Sequence, residues 1–141
     1  MKVAIANDHG GVELKNFLIE SFPEIEWANL GTDTTDSTDY PDYGYKLAEA
    51  IANGDAQFGV AICGTGIGIG IACNRNKKVR ASTCTNATMA RLTRIDNDAN
   101  ILCLGARVVG NLVAKDCFEA FINTEFEAGG RHERRVKKLG E

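Results

Sequence analysis

Five short apolar runs, each leading into a helix-like pattern, decide what this chain can fold into. Val3–Ala6, Ile25–Leu30, Phe58–Ile62, Arg80–Thr85 and Asn100–Leu104 read as strands. Between and after them lie helical patterns. The first carries Val12, Leu14, Phe17 and Leu18 and is stopped by Pro23. Others run from Tyr43 to Ala52, from Gly66 to Asn74, from the cap residue Asn86 to Asp96, and from Asn111 to Asn123. Strands that are apolar throughout, rather than on alternate residues, are covered on both faces. The βα units therefore stack into a parallel sheet with helices above and below. The expected class is α/β, a three-layer αβα sandwich on a five-stranded parallel sheet. Its 141 residues suit one domain spanning 1–141, without repeat, linker or low-complexity tract. Ligands of such sheets bind beyond the carboxyl ends of the strands. That directs attention to the loops Asn7–Gly11, Gly31–Asp42, Cys63–Gly68 and Gly105–Gly110.

The third strand runs straight into Cys63-Gly64-Thr65-Gly66-Ile67-Gly68-Ile69-Gly70. Glycine lets the backbone approach a ligand and aim several N–H groups at one point. At the start of a helix such donors form an anion cradle. A cysteine at its edge sits where a thiolate is favoured. A base beside a preformed oxyanion site is what removal of a proton next to a carbonyl requires. The glycine spacing alone leaves a second reading open, a small buried cysteine and glycines that let a helix pack close to a sheet. Two familiar motifs are excluded. A G-x-G-x-x-G fingerprint starting at Gly64 needs glycine where Ile69 stands, and one starting at Gly66 meets Ile71. No glycine of the loop precedes a lysine, so there is no P-loop.

A hydrophobic share of 44%, a charged share of 25% and a net charge of −3 describe an ordinary soluble protein. They argue against general nucleic-acid or membrane-surface partners. No apolar run approaches the ~20 residues that span a bilayer. The N-terminus passes directly into a strand with no signal-peptide pattern, so a cytoplasmic location is expected. The cysteines Cys63, Cys73, Cys84, Cys103 and Cys117 are odd in number and contain no C-x-x-C, which suits reduced thiols and no zinc site. Cys84 and Cys103 fall on expected strands, and Cys73 and Cys117 on expected helices, so these four read as core filling. The acidic loop with Asp33, Asp36, Asp39 and Asp42 reads as a solvated turn region, since its spacing matches no calcium loop. The tail is different. Arg131, His132, Arg134, Arg135, Lys137 and Lys138 crowd the last eleven residues. In a helix, Arg131 and Arg135 share one face about 6 Å apart, a spacing that can grip one phosphate from two sides. A solvated basic helix end is the alternative. Arg134 points to another face, and His132 reads as structural.

Taken in order, these segments resemble a known family over essentially the whole chain. The carriers are Asn7-Asp8-His9-Gly10-Gly11, Thr38-Asp39-Tyr40-Pro41 and Cys63-Gly64-Thr65-Gly66-Ile67-Gly68. They continue with Asn97-Asp98-Ala99-Asn100, Gly105-Ala106-Arg107-Val108-Val109-Gly110 and Gly129-Gly130-Arg131-His132-Glu133-Arg134-Arg135-Val136. Together they resemble the ribose-5-phosphate isomerase B group and its relatives, the galactose-6-phosphate and allose-6-phosphate isomerases. The Gly-Gly-Arg-His tail is similar to the ribose type. The resemblance implies a Rossmann-like fold with a C-terminal basic helix. It also implies interconversion of ribose 5-phosphate and ribulose 5-phosphate through an enediolate, with neither metal nor organic cofactor. Cys63 would then be the base moving a proton between C2 and C1, and Thr65 would shuttle protons between O1 and O2. The amides of Gly64, Thr65, Gly66, Ile67 and Gly68 would hold the oxyanion. His9, Arg107, Arg131 and Arg135 correspond to the phosphate-binding group, Asp8 and Tyr40 to sugar contacts, and Asn97 to a contact at the reacting end. Family members are dimers or tetramers with each site built from two subunits, so the tail 129–141 would reach a neighbouring copy. A hexose-6-phosphate isomerase is the alternative within the class. A sugar-phosphate-binding regulator that has lost turnover is the alternative outside it.

One departure stands out. The ribose type carries Arg-x-His-Asn before the Asn97 position, its histidine opening the furanose ring, whereas this chain reads Arg94-Ile95-Asp96-Asn97. An ionised aspartate accepts a proton but does not donate one. Asp96 is therefore expected to act as the base on the anomeric hydroxyl while another group protonates the ring oxygen. The other possibilities are a raised carboxyl pKa, or a substrate already in the open-chain form.

Overall fold

The computed structural model describes residues 1–141. Its strands are β1 Lys2–Asn7, β2 Glu26–Asn29, β3 Phe58–Cys63, β4 Ala81–Thr83 and β5 Ile101–Gly105. They pair in the order β2-β1-β3-β5-β4, and every pairing is parallel. The helices are α1 Val12–Ser21, α2 Tyr40–Ala52, α3 Ile67–Cys73, α4 Ala87–Asn97, α5 Asn111–Ile122 and α6 Arg131–Leu139, with a 3-10 turn at His9–Gly11. The expected sandwich is what forms, and the tail is helical.

Period-2 alternation sorts the strand residues onto two unlike faces. Val3 and Ile5, Phe58, Val60 and Ile62, and Leu102 and Leu104 point to a large-residue core shared with Leu14 and Leu18 of α1 and Phe118 and Phe121 of α5. The other face presents Ala4, Ala6, Ala61, Cys63, Ile101 and Cys103 to Leu47, Ala48 and Ile51 of α2 and Ile69 and Cys73 of α3. Small strand residues let α2 and α3 settle close to the sheet. Gly44 lies against Ala72, so that a Cβ there would be 2.8 Å from the Ala72 methyl. This close layer holds α3 directly over the end of β3.

Three details differ from the sequence reading. Helix α2 starts at Tyr40 rather than Tyr43, because Pro41 fits the first turn, where a helix needs no N–H from it. The fourth strand is trimmed to Ala81–Thr83, since it pairs only with β5 and the extended Asn86 (φ −156°) already caps α4 by accepting from the Met89 N–H at 2.9 Å. Cys84 thus lies just past its strand, yet it is buried as expected. Asp33 does more than face water. The fully buried Lys15 ammonium donates to the Thr32 carbonyl and to Asp33 Oδ1, both at 2.5 Å, tying the β2–α2 loop to α1. That hydrogen bond, helped by one from Asn29, holds the Asp33 carboxyl below its usual range.

Four thiols are locked in the core. Burial pushes Cys73 up to about 12, Cys84 to about 11 and Cys103 well above its ordinary value, and it raises Cys117 as well. Each is ionised more easily in the unfolded chain, so its stabilisation is complete below about pH 8.5 and is lost as pH rises from there toward the folded value. Urea midpoints under reducing conditions should hold near pH 7 and fall between pH 9 and 11. The limiting slope is about 1.4 kcal/mol per pH unit for each such thiol.

Candidate active site

The strand order reverses direction between β1 and β3, so a crevice opens where their carboxyl ends diverge. From β1 come Asp8 and His9. Asp8 Oδ1 accepts from the Gly10 N–H at 2.9 Å and holds the 3-10 turn. His9 is gripped twice by Thr38. Its N–H donates to Thr38 Oγ1 at 3.1 Å, and its Nδ1 accepts from the Thr38 N–H at 3.1 Å. A ring nitrogen that accepts a backbone N–H carries a lone pair, so the neutral imidazole keeps its proton on Nε2. His9 is thereby set as an Nε2–H donor. A cleft of about 210 Å³ beside it is lined also by Gly10, Glu13, Thr35 and Asn111.

From β3 comes Cys63, 5% exposed. Its Sγ accepts from the Gly66 N–H at 3.2 Å. By contrast, the sulfurs of Cys73 and Cys84 act as donors, to the Gly44 and Ser82 carbonyls at 3.4 and 3.8 Å. Of these three sulfurs, that of Cys63 alone accepts from a backbone N–H.

The glycine loop that follows is fixed by β5. Gly66 takes a left-handed φ of 76°, and a Cβ there would lie 2.8 Å from the Leu104 carbonyl carbon, so both conformation and space call for glycine. The Ala106 and Arg107 N–H groups donate to the Cys63 and Gly64 carbonyls, each at 2.9 Å, and the Thr83 hydroxyl donates to the Gly66 carbonyl at 3.0 Å. Of the five amides expected to hold an oxyanion, two are already engaged. Gly66 is committed to Cys63, and the Ile67 N–H donates to Thr65 Oγ1 at 3.2 Å. Those of Gly64, Thr65 and Gly68 have no partner in the chain and remain for a ligand. The Arg107 side chain reaches the Gly64 position, 3.6 Å from where a Cβ would stand, and the Tyr40 ring covers Gly68 at 2.7 Å by the same measure. Asp8, His9, Tyr40, Cys63, the loop and Arg107 thus form one constellation.

Asp96, Asn97, Arg131 and Arg135 do not join it within one chain. Helix α4 leaves the carboxyl end of β4 and delivers the chain to the amino end of β5, so its last turn lies at the opposite edge of the sheet. There α6 packs against it. Asp96, Asn97, His132, Arg135, Val136 and Leu139 line a shared cleft, and His132 Nε2 stands 3.5 Å from Asp96 Oδ1. Sequence reasoning gave no role to Thr38 and a merely structural one to His132. Both act through partners 29 and 36 residues away, which no local pattern reports.

Comparison with known proteins places this geometry. A sequence model of the ribose/galactose isomerase family matches residues 3–139. The solved structure of Clostridium thermocellum ribose-5-phosphate isomerase B superposes with a TM-score of 0.96 at 47% identity, covering 99% of this chain and 95% of that one. Ribose-5-phosphate isomerase B of Escherichia coli is 40% identical over 98% of this chain and 93% of its own length. D-erythrulose-4-phosphate isomerase of Pectobacterium atrosepticum is 36% identical over 99% and 93%. The fold is that of an aldose–ketose isomerase acting on sugar phosphates. The chain belongs to the ribose/galactose isomerase family.

Gly66→Ala should test the geometry that all of this needs. Forcing a Cβ into a left-handed position against the Leu104 carbonyl should lower stability by roughly 2–4 kcal/mol, read from urea denaturation. The same change at Gly54, which also has φ 76° but has open space around it, should cost about 1 kcal/mol.

Proposed function

We propose that this protein interconverts ribose 5-phosphate and ribulose 5-phosphate. The observation that carries the reading is the Gly66 N–H aimed at Cys63 Sγ beside three unpartnered loop amides. The Cys63 thiolate removes the C2 proton of the open-chain aldose and returns it to C1. The amides of Gly64, Thr65 and Gly68 take the developing oxyanion, each such donor being worth about 10²–10³ in rate. Thr65 Oγ1, exposed at the rim and already accepting from the Ile67 N–H, is free to donate its own proton and so to move one between O1 and O2. His9 Nε2–H and Arg107 meet the phosphate, and Asp8 and Tyr40 meet the sugar. Nothing in this sequence of steps calls for a metal or cofactor, since each proton finds a side chain.

Asp96, Asn97, Arg131 and Arg135 enter when a second copy brings its α4–α6 edge to the crevice. The tail 129–141 then works at a neighbour's site, and the functional unit is a homo-oligomer, a dimer or a tetramer. The four basic groups of the phosphate end, His9 and Arg107 with Arg131 and Arg135, come in this way from two chains. A second reading is supported by Asp96, which stands where a ring-opening histidine is expected. A tetrose phosphate has no furanose ring to open, and a relative named for D-erythrulose 4-phosphate makes that substrate worth comparing.

Replacing Cys63 by Ala should lower turnover of ribose 5-phosphate by about 10³–10⁴-fold in both directions, while calorimetry finds sugar-phosphate binding within a few-fold of wild type. A wild-type protein that binds the sugar phosphate yet turns over neither pentose nor tetrose phosphate would be a regulator instead.

A further inference from the structure

Opening a furanose ring requires two proton movements. The anomeric hydroxyl must lose a proton and the ring oxygen must gain one. Asp96 alone, as an ionised carboxylate, provides only the first. The structure places a histidine beside it. His132 Nε2 lies 3.5 Å from Asp96 Oδ1, across the α4–α6 contact. Its Nδ1 has no partner. The ring is a wall of two adjoining clefts, one shared with Asp96, Asn97 and Arg135, the other with Glu127, Gly130 and Arg131. The His132 side chain is 17% exposed, which is enough to be reached and little enough to be held.

We propose that His132, held by Asp96, is the acid–base that opens the sugar ring in this protein. The inference rests on the isomerase reading above. His132 Nδ1 takes the proton of the anomeric hydroxyl. The bond between C1 and the ring oxygen breaks as the C1 carbonyl forms. The proton on Nδ1 then passes to the departing ring oxygen. One proton moves from one oxygen to another and no oxidant or reductant is needed. Asp96, 3.5 Å from Nε2, is the anion beside the imidazolium that exists between the two transfers. Position supports this. Arg131 precedes His132 and Arg135 follows it by one turn, and only a few bonds separate a 5-phosphate from the ring oxygen of ribose. His132 shares one cleft with Arg135 and the adjoining one with Arg131, so a sugar whose phosphate those arginines hold lies along the same wall. The charged groups facing His132 are Asp96 from α4, Glu127 from the segment before α6, and Arg131 and Arg135 from its own helix.

The test separates ring opening from enolisation by varying enzyme concentration. With wild type, the rate from ribose 5-phosphate should rise in proportion to enzyme. With His132→Asn, it should level off where spontaneous ring opening limits supply, at least about 100-fold below wild type at high enzyme. From ribulose 5-phosphate, which enters the reaction without passing through that ring, the variant's rate should stay proportional to enzyme. Proportional rates in both directions, or equal collapse in both, would overturn the proposal. Turnover of neither sugar by wild type would overturn the isomerase reading instead. Asp96→Asn supplies a second arm should His132→Asn fail to fold. The same levelling-off from ribose 5-phosphate, with the ribulose 5-phosphate rate still proportional to enzyme, should appear when the partner carboxylate is removed. Proportional rates in both directions with Asp96→Asn would also sink the pairing.

Discussion

The chemistry of this fold hangs on one donor, the Gly66 N–H, and its 3.2 Å contact with Cys63 Sγ. That contact exists because Gly66 turns left-handed three residues after the buried strand β3 ends, where the backbone of β5 leaves no room for a side chain. The same turn releases the Gly64, Thr65 and Gly68 amides from internal bonding. In the proposed reaction, the placing of the Cys63 sulfur and the binding of an oxyanion are thus two products of a single backbone conformation. The site needs no separate device for each. The clamp from Ala106 and Arg107 occupies the Cys63 and Gly64 carbonyls, while the Gly64, Thr65 and Gly68 donors stay unpaired.

Burial works against such a base in this core, where it raises the pKa of the other four thiols. The two sheet faces resolve the conflict. Cys63 is the last residue of β3 and lies at the edge of the small-residue layer, while Cys73 and Cys103 are sealed within it. A difference of one strand end, with one amide at that end, divides the sulfur proposed as the base from the four that burial holds protonated. Core chemistry and site chemistry here use the same residue type, and position alone decides which applies.

Much of this was legible because it is local. Continuous apolar runs gave the parallel sheet, and the alternating glycines after Cys63 marked the loop whose conformation the structure then explains. Helix α2 was placed late because apolar periodicity begins only at Tyr43, although Pro41 already signals the first turn. Lys15 and Asp33 could not be paired from sequence, since a lysine inside a helix gives no sign that its ammonium is fully buried. Thr38 sat within a motif, but its grip on His9 joins two loops brought together only by the sheet order. His132 was hidden for the same reason, and its partner Asp96 had been judged alone.

The separation of the two residue clusters follows from sheet geometry. In a parallel βαβ unit, a helix must return the chain from the carboxyl edge to the amino edge, so the start and end of α4 lie on opposite sides of the sheet. A strand of five or six residues spans roughly 17–20 Å. No arginine or histidine on α4 or α6 folds back over that span to reach Cys63 of its own chain. Cooperation between the two clusters therefore demands a second molecule with its amino edge turned toward the first one's carboxyl edge. A two-fold axis meets that demand twice at once, joining each half-site to its complement. On the proposed reading the basic tail is explained by the site opposite, each copy lending its α4–α6 edge to the crevice of the other.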